Sequence, residues 1–366
     1  MAETLPRDIA DSVEWSSGGE PLRIAVVAPP WYEVPPRGYG GIERVCYELV
    51  EGLIDRGHAV TLVGMGHNRT RAEFVAALDE PPHGLGTVEQ PVQEVRYGAI
   101  VSRILSDLDV DLVHDHSLAA PLGASARPMP TLLTVHGPTD GPLGDLFRHL
   151  DLPLVAISQV QRRAAPDLRW VATVHNAVDA SAFPFRRLKD DFALFVGRMS
   201  AEKGVHLVPK VARAAGLRTV IVAKCQEPAE REYFERELAP QLDGDVDWLG
   251  EVGPVERNEL LARARCLVMP IQWDEPFGLV ALEAMACGTP IVALARGALP
   301  EIVIHGETGF LCREPFEMIE AITRAADLDP AACRRRVETV FSPLAMVTGY
   351  EAVYRAAVVT AGRGVA

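Results

Sequence analysis

Short apolar runs alternating with amphipathic stretches recur along this chain, and that alternation restricts it to a parallel α/β architecture. The first run, 22–28 (LRIAVVA), is β-branched, stops at Pro29 and Pro30, and reads as a buried parallel strand. A Pro- and Gly-rich loop follows to Gly41. The stretch 42–56 then places Val45, Leu49, Leu53 and Ile54 on one helical face before Gly57, and 58–63 (HAVTLV) is the next strand. Strand, helix and strand at this spacing form a right-handed crossover unit. Further runs at 112–113, 131–135 and 154–157 end in polar residues, among them His114, His116, His136 and Ser158.

A second series begins at Phe192. Strands are expected at 192–196, 219–223, 246–249, 266–269 and 290–294, with helices at 205–215, 227–238, 258–264 and 278–286. The segment between Asp179 and Asp191 breaks the rhythm. The expected organisation is a leader at 1–21, a doubly wound domain at 22–180 and a linker at 181–191. A second doubly wound domain spans 192–342, and a terminal segment covers 343–366. Open sheets of this kind bind ligands outside the carboxyl ends of their strands, so two facing domains leave a cleft between those ends.

Composition removes several function classes. Acidic residues outnumber basic ones by 50 to 36, giving a formal charge of −14, which disfavours a nucleic-acid partner. The first 180 residues hold 24 acidic against 14 basic side chains, so charge does not support peripheral docking on anionic lipid. No stretch approaches the roughly 18 apolar residues needed to span a bilayer, and the polar, acidic leader lacks a secretory signal's apolar core. Cys46, Cys225, Cys266, Cys287, Cys312 and Cys333 lie far apart with no C-x-x-C pair. They read as reduced thiols of a cytoplasmic protein.

Three segments carry chemistry. After the first strand, 38–41 (GYGG) starts like a dinucleotide fingerprint, but Glu43 replaces its last glycine and no acidic residue closes the second strand. A nicotinamide-dependent oxidoreductase is therefore a weak rival. Adjacent glycines at a helix start can bring backbone N–H groups to a phosphate, or simply make a tight turn. In 195–204 (FVGRMSAEKG), Arg198 ends a strand and Lys203 follows five residues later, two cations at a sheet mouth that suit a diphosphate. In 274–290 (DEPFGLVALEAMACGTP), Glu283 is the only charge between Glu275 and Arg296. A buried carboxylate needs donors; ligand hydroxyls are favoured over a core arginine. The helix start at Gly278, Leu279 and Val280 aims free N–H groups at the same ligand, and Glu275 can reach it from the loop.

These segments together resemble the GT-B retaining glycosyltransferases of family 4 (group 1). Glu275 and Glu283 form the E-x7-E pattern. The likeness extends to 40–44 (GGIER), 134–137 (TVHG), 176–179 (NAVD), 196–204, 305–311 (HGETGFL) and 350–354 (YEAVY). Ala177 stands where many members carry Gly. The resemblance implies two Rossmann-like domains facing across a cleft, with a carboxyl-terminal helix returning to the first. It implies that Arg198 and Lys203 bind the donor diphosphate opposite the Gly41 N–H. Glu283 would bind the nucleotide ribose, Glu275 the hydroxyls of the transferred sugar, and His136 the sugar near its reacting face. Backbone N–H groups of Phe277, Gly278, Leu279 and Val280 would complete the contacts. The expected partners are a nucleotide-sugar donor and a sugar, lipid-linked or small-molecule acceptor, with no cofactor and no metal.

Other candidates are weaker. His114 and His116 share a face but lack a third metal ligand. The D-x-D pairs at Asp109/Asp111 and Asp245/Asp247 precede their strands, at the wrong edge for a ligand. Ser158 has no G-x-S-x-G context. A GT-B epimerase or phosphorylase, or a non-catalytic nucleotide-sugar binding subunit, would share the fold.

Overall fold

The run at 22–28 forms strand β1 (Arg23–Val27), flanked in its sheet by β2 (Ala59–Met65) and β4 (Leu112–Asp115). The computed structural model describes residues 20–67 and 69–363, so the expected leader lies almost wholly outside the described residues. The chain divides into two units. The first runs to Asn176 and resumes at Pro343, and the second comprises Ala177–Ser342.

The first unit adds β3 (Glu73–Leu78), β5 (Thr131–Val135), β6 (Leu154–Ala156) and β7 (Trp170–Thr173), giving a parallel sheet of order β3-β2-β1-β4-β5-β6-β7. Helices α1 (Gly41–Asp55), α2 (Gln90–Asp107), α3 (Gly141–His149) and α4 (Gln159–Ala164) supply crossovers. Strand β1 is buried on both faces after Arg23, which explains its apolar run, and β4 and β5 are buried throughout, their His114, Asp115, Thr131 and Thr134 included. Ala25, Val27, Val63 and Val113 pack against Tyr97, Val101 and Leu105 of α2 on one side of the sheet.

The second unit has order β10-β9-β8-β11-β12-β13, from β8 (Phe192–Arg198), β9 (Arg218–Lys224), β10 (Val246–Trp248), β11 (Cys266–Met269), β12 (Ile291–Leu294) and β13 (Gly309–Cys312). Its helices are α5 (Val208–Ala214), α6 (Pro228–Tyr233), α7 (Pro254–Arg263), α8 (Leu279–Ala286), α9 (Leu299–Ile302), α10 (Glu317–Arg324) and α11 (Pro330–Val340). Phe195, Val208, Ile221, Val268, Val292 and Met318 belong to its core. The helix α12 (Pro343–Arg363) belongs to the first unit, where Gly349 lies against Val174.

Several elements differ from the sequence expectation. The stretch 227–238 is not one α-helix, since α6 passes at Phe234 into a π-turn through Leu238. The stretch 205–215 starts as a 3-10 turn, and α7 begins at Pro254, four residues before the expected Asn258. Each sheet reverses its strand order beside its first strand, between β1 and β4 and between β8 and β11. Crevices at such switch points are the preferred ligand positions of the fold.

Candidate active site

In the second unit, Arg198 is the last residue of β8, at the β8–β11 switch point. The chain then makes a 3-10 turn, Ala201–Lys203, and leaves it through Gly204 at φ +69°, where a Cβ would collide with the Pro270 carbonyl oxygen. Glycine is required there by both conformation and space. Its absence of a side chain lets the 199–204 loop lie against the loop after β11. The Gln272 N–H donates to the Glu202 carbonyl at 2.7 Å, and the Gln272 side chain donates to the Pro270 carbonyl at 2.7 Å.

This stitching brings Lys203 and Glu275 together in an ion pair. The same carboxylate oxygen, Oε2, accepts from the Trp273 indole N–H at 2.9 Å, and the Lys203 ammonium stands 5.5 Å from the Trp273 ring centroid. The Glu275 backbone is fixed from below. Gly297, at φ +54°, leaves room that a Cβ would take from the Glu275 main chain, and Ala298 N–H donates to the Glu275 carbonyl at 2.9 Å. Arg198 donates to Glu202 at 2.6 Å. Each cation of the expected clamp is thus already paired with a carboxylate of its own unit. Lys203 is not a solvated surface cation, since its side chain is only 18% exposed.

Past Phe277, which is buried, Gly278 turns the chain at φ +100° into α8. The helix is buried from Ala281 onward, and its first N–H groups lack intrahelical acceptors, as at every helix start. Glu283, 7% exposed, gives Oε1 to the Arg257 guanidinium of α7 at 2.9 Å. Here the sequence reading needs correction: the lone carboxylate of α8 has an arginine partner within the protein, because α7 packs beside α8. Arg257 Nε and Asn258 Oδ1 are buried beside it with no partner among the described residues.

In the first unit, Gly40 caps α1 at φ +146°, with Pro36 so close that a Cβ would clash, and Gly41 is the first helical residue. The turn reading and the open N–H reading of this loop are therefore compatible. His136 follows β5 and is half-buried. Its Nε2 lies 2.8 Å from Nδ1 of His116, and the two rings meet edge to edge with their centroids 5.1 Å apart. His114, fully buried, is bonded through Nδ1 to the Tyr354 hydroxyl and through Nε2 to Thr134, both at 2.7 Å. Burial holds His136 down at about 3 and His114 likewise at about 3, so both rings are neutral at physiological pH.

Sequence reasoning missed Trp273, Arg257 and the His116–His136 contact. The first stands two residues before Glu275 and was available as an aromatic beside the motif. The other two depend on packing and strand register, which no local pattern encodes. Asp109 and Asp111 both pair with Arg23 at the start of β1, and Asp247 pairs with Arg218 at the start of β9. Ser158 is the buried cap of α4, accepting from the Gln161 N–H. Among the described residues, no group of three or more His, Cys, Asp or Glu side chains is placed to hold a metal ion. None of the described helices is long and apolar enough to cross a membrane.

Residues 179–337 match the family of glycosyl transferases group 1, and residues 39–203 match Glycosyltransferase Family 4. The glycogen synthase of Mycobacterium tuberculosis is 28% identical, over 86% of this chain and 88% of that protein. The phosphatidyl-myo-inositol mannosyltransferase of Mycolicibacterium smegmatis is 27% identical, over 79% and 80% respectively. Among solved structures, AviGT4, a glycosyltransferase involved in avilamycin A biosynthesis, is 25% identical with a TM-score of 0.71, over 93% of this chain and 98% of that one. Two parallel doubly wound units with these motifs define a glycosyltransferase of the GT-B fold. The chain belongs to the group 1/family 4 type of these enzymes, which transfer sugars from nucleotide-sugar donors.

Proposed function

We propose that this enzyme transfers a hexose, with retention of anomeric configuration, from a UDP-, GDP- or ADP-linked donor to an acceptor hydroxyl, without a catalytic metal. The observation that carries the reading is the joint placement of Lys203, Trp273 and Glu275 at the carboxyl edge of the second sheet, beside the start of α8. Negative charge grows on the leaving diphosphate as the anomeric bond breaks. Arg198 and Lys203 take up that charge, together with the Gly41 N–H and the backbone N–H groups of Phe277 to Val280, and lower the barrier electrostatically. Glu275 accepts hydroxyls of the transferred sugar. Glu283 keeps Oε1 on Arg257 and offers Oε2 to the ribose. His136, neutral, contacts the sugar near its reacting carbon. The acceptor is a sugar, a lipid-linked sugar or a small molecule.

Binding of donor requires an exchange of partners: the diphosphate displaces Glu275 from Lys203 and Glu202 from Arg198. Thermal shift of the purified protein against UDP-, GDP- and ADP-sugars tests the reading, since a ligand at 100 times its Kd adds roughly 2.7 kcal/mol. One donor should raise the melting temperature of the wild type and fail to raise that of Lys203→Ala. Equal shifts in both proteins, or none with any donor, would count against it.

A further inference from the structure

His136 does not stand alone. Its Nε2 meets Nδ1 of His116 at 2.8 Å, and this is its only hydrogen bond among the described residues, so its Nδ1 is left to the surroundings. His116 is 4% exposed; the His114 ring lies against it at a centroid distance of 4.1 Å, and His136 meets it at its Nδ1 edge. His114 is in turn fixed at both nitrogens by Tyr354 and Thr134, and Thr134 is bonded to Tyr350 at 3.0 Å. Burial and contact with the anchored His114 ring hold His116 with its Nδ1 toward His136. Its other nitrogen, Nε2, is buried without a partner among the described residues.

A contact between two imidazole nitrogens needs one N–H and one lone pair, and the protonation of the rest of each neutral ring follows from that choice. With the shared proton on His136, His116 must carry its own on Nε2, leaving an N–H buried with no acceptor. Orphaned buried N–H groups are the rarer and costlier defect. With the shared proton on His116 Nδ1, the buried Nε2 is a bare nitrogen and no N–H is stranded. His136 then holds its proton on Nδ1. Burial depresses both rings, so neither becomes an imidazolium that would obscure the choice.

We propose that His116 is a positioning residue that locks His136 in the tautomer protonated on Nδ1, so that His136 serves transfer as a hydrogen-bond donor to a sugar oxygen. The proposal rests on the reading that His136 faces the donor sugar. A proton donor at a neutral site stabilises oxygen that gains charge without itself losing the proton. The tautomer of a histidine is set by the bond its other nitrogen makes, which is the role assigned to His116.

The test uses the full chain with 15N-labelled histidine. Imidazole NMR of the wild type should show His136 protonated on Nδ1. His116→Asn, whose amide N–H can still donate to Nε2, should keep that signature, and His116→Leu should lose it. With UDP-glucose, GDP-mannose and ADP-glucose as probe donors, His116→Leu should lower kcat on the order of tenfold or more with little change in KM, while His116→Asn recovers most of it. A His136 proton found on Nε2 overturns the proposal. So does a folded His116→Leu with wild-type kcat when His136→Ala is impaired. Full turnover by His136→Ala instead defeats the underlying placement of His136, and the NMR result still decides the tautomer on its own.

Discussion

Lys203 and Glu275, 72 positions apart in the chain, form an ion pair whose carboxylate also accepts from Trp273. Both side chains are largely buried, at 18% and 12% exposure, so solvent screens the pair less than it would at the surface. Lys203→Ala should lower turnover by roughly 10²-fold or more through loss of a charge donor to the leaving diphosphate. It should also cost about 1–2 kcal/mol of stability, between the values for exposed and fully buried pairs. Steady-state kinetics and a urea titration measure the two effects. Near wild-type turnover would remove Lys203 from the diphosphate site.

The same pair predicts opposite signs for two properties of Glu275→Gln. Turnover should fall, because the sugar hydroxyls lose their carboxylate. Affinity for the bare nucleoside diphosphate should rise, on the order of threefold to tenfold, because Lys203 is no longer held by an internal competitor. Calorimetric titration of UDP, GDP and ADP into both proteins reads the second effect. Weakened diphosphate binding in Glu275→Gln would show that the carboxylate helps hold Lys203 for the ligand and does not compete with it.

Arg257 and Glu283 form the other buried pair of the site, at 2.9 Å. Replacing the arginine strands a carboxylate that is 7% exposed in an apolar helix. Arg257→Met should therefore destabilise the fold by about 1–3 kcal/mol, the cost of leaving a buried polar group unsatisfied. In the double variant Arg257→Met/Glu283→Leu, both charges are gone and most of that loss should be recovered. A thermodynamic cycle on the two single variants and the double variant checks this. Additive losses would mean that the two side chains do not interact in solution.

The strands were legible where burial on both faces leaves an unbroken apolar run. Cys266–Met269 coincides with its expected bounds, and β1, β5 and β8 lie within two residues of theirs. The edge strand β3 was not, since its residues are only half-buried and its sequence EFVAAL has no strong pattern. Nor was α2. Val92 and Val95 are exposed, and Gly98 sits where a Cβ would meet the Ala119 backbone, so apolar periodicity is lost on the outer face. In the candidate site, position at a strand end pointed to Arg198 and Lys203, the loop before a helix start pointed to Glu275, and the family resemblance pointed to His136. Their partners were illegible for a common reason. Lys203 meets Glu275 because Gly204 permits two loops to touch, and His116 meets His136 because β4 and β5 are paired neighbours whose carboxyl ends lie side by side.

Sugar transfer should persist after exhaustive chelation. The charge that a divalent cation would neutralise on the diphosphate is assigned to Arg198, Lys203 and the start of α8. Of the D-x-D carboxylates, Asp109, Asp111 and Asp247 are committed to arginines at the opposite strand ends. Dialysis against EDTA followed by a donor-consumption assay makes the check. Loss of activity that manganese or magnesium restores would overturn metal independence.

Stability of the first unit should carry a pH signature from Glu43, in the first turn of α1. Burial, at 3% exposure, pushes its carboxyl up from the usual 4.5 to about 8. A carboxyl whose folded value lies above its unfolded value is held neutral by the fold. Below about 4.5 it is protonated in both states, and its neutrality contributes in full. As pH rises from there, the unfolded chain releases the proton and the folded chain does not, so stability declines until about pH 8, where the folded form also ionises. The neutral histidines act in the reverse sense. His114 and His136 are depressed from 6.5 to about 3, so their contribution is complete above 6.5 and is lost as pH falls toward 3. The two trends separate on the alkaline side. Between pH 6.5 and 8 the histidines are silent, and the decline belongs to Glu43 alone among these groups. Glu43→Gln keeps the shape and removes the proton equilibrium, so its melting temperature should fall less than that of the wild type across this interval. Parallel curves for the two proteins from pH 6.5 to 8 would mean that Glu43 is already ionised in the native state.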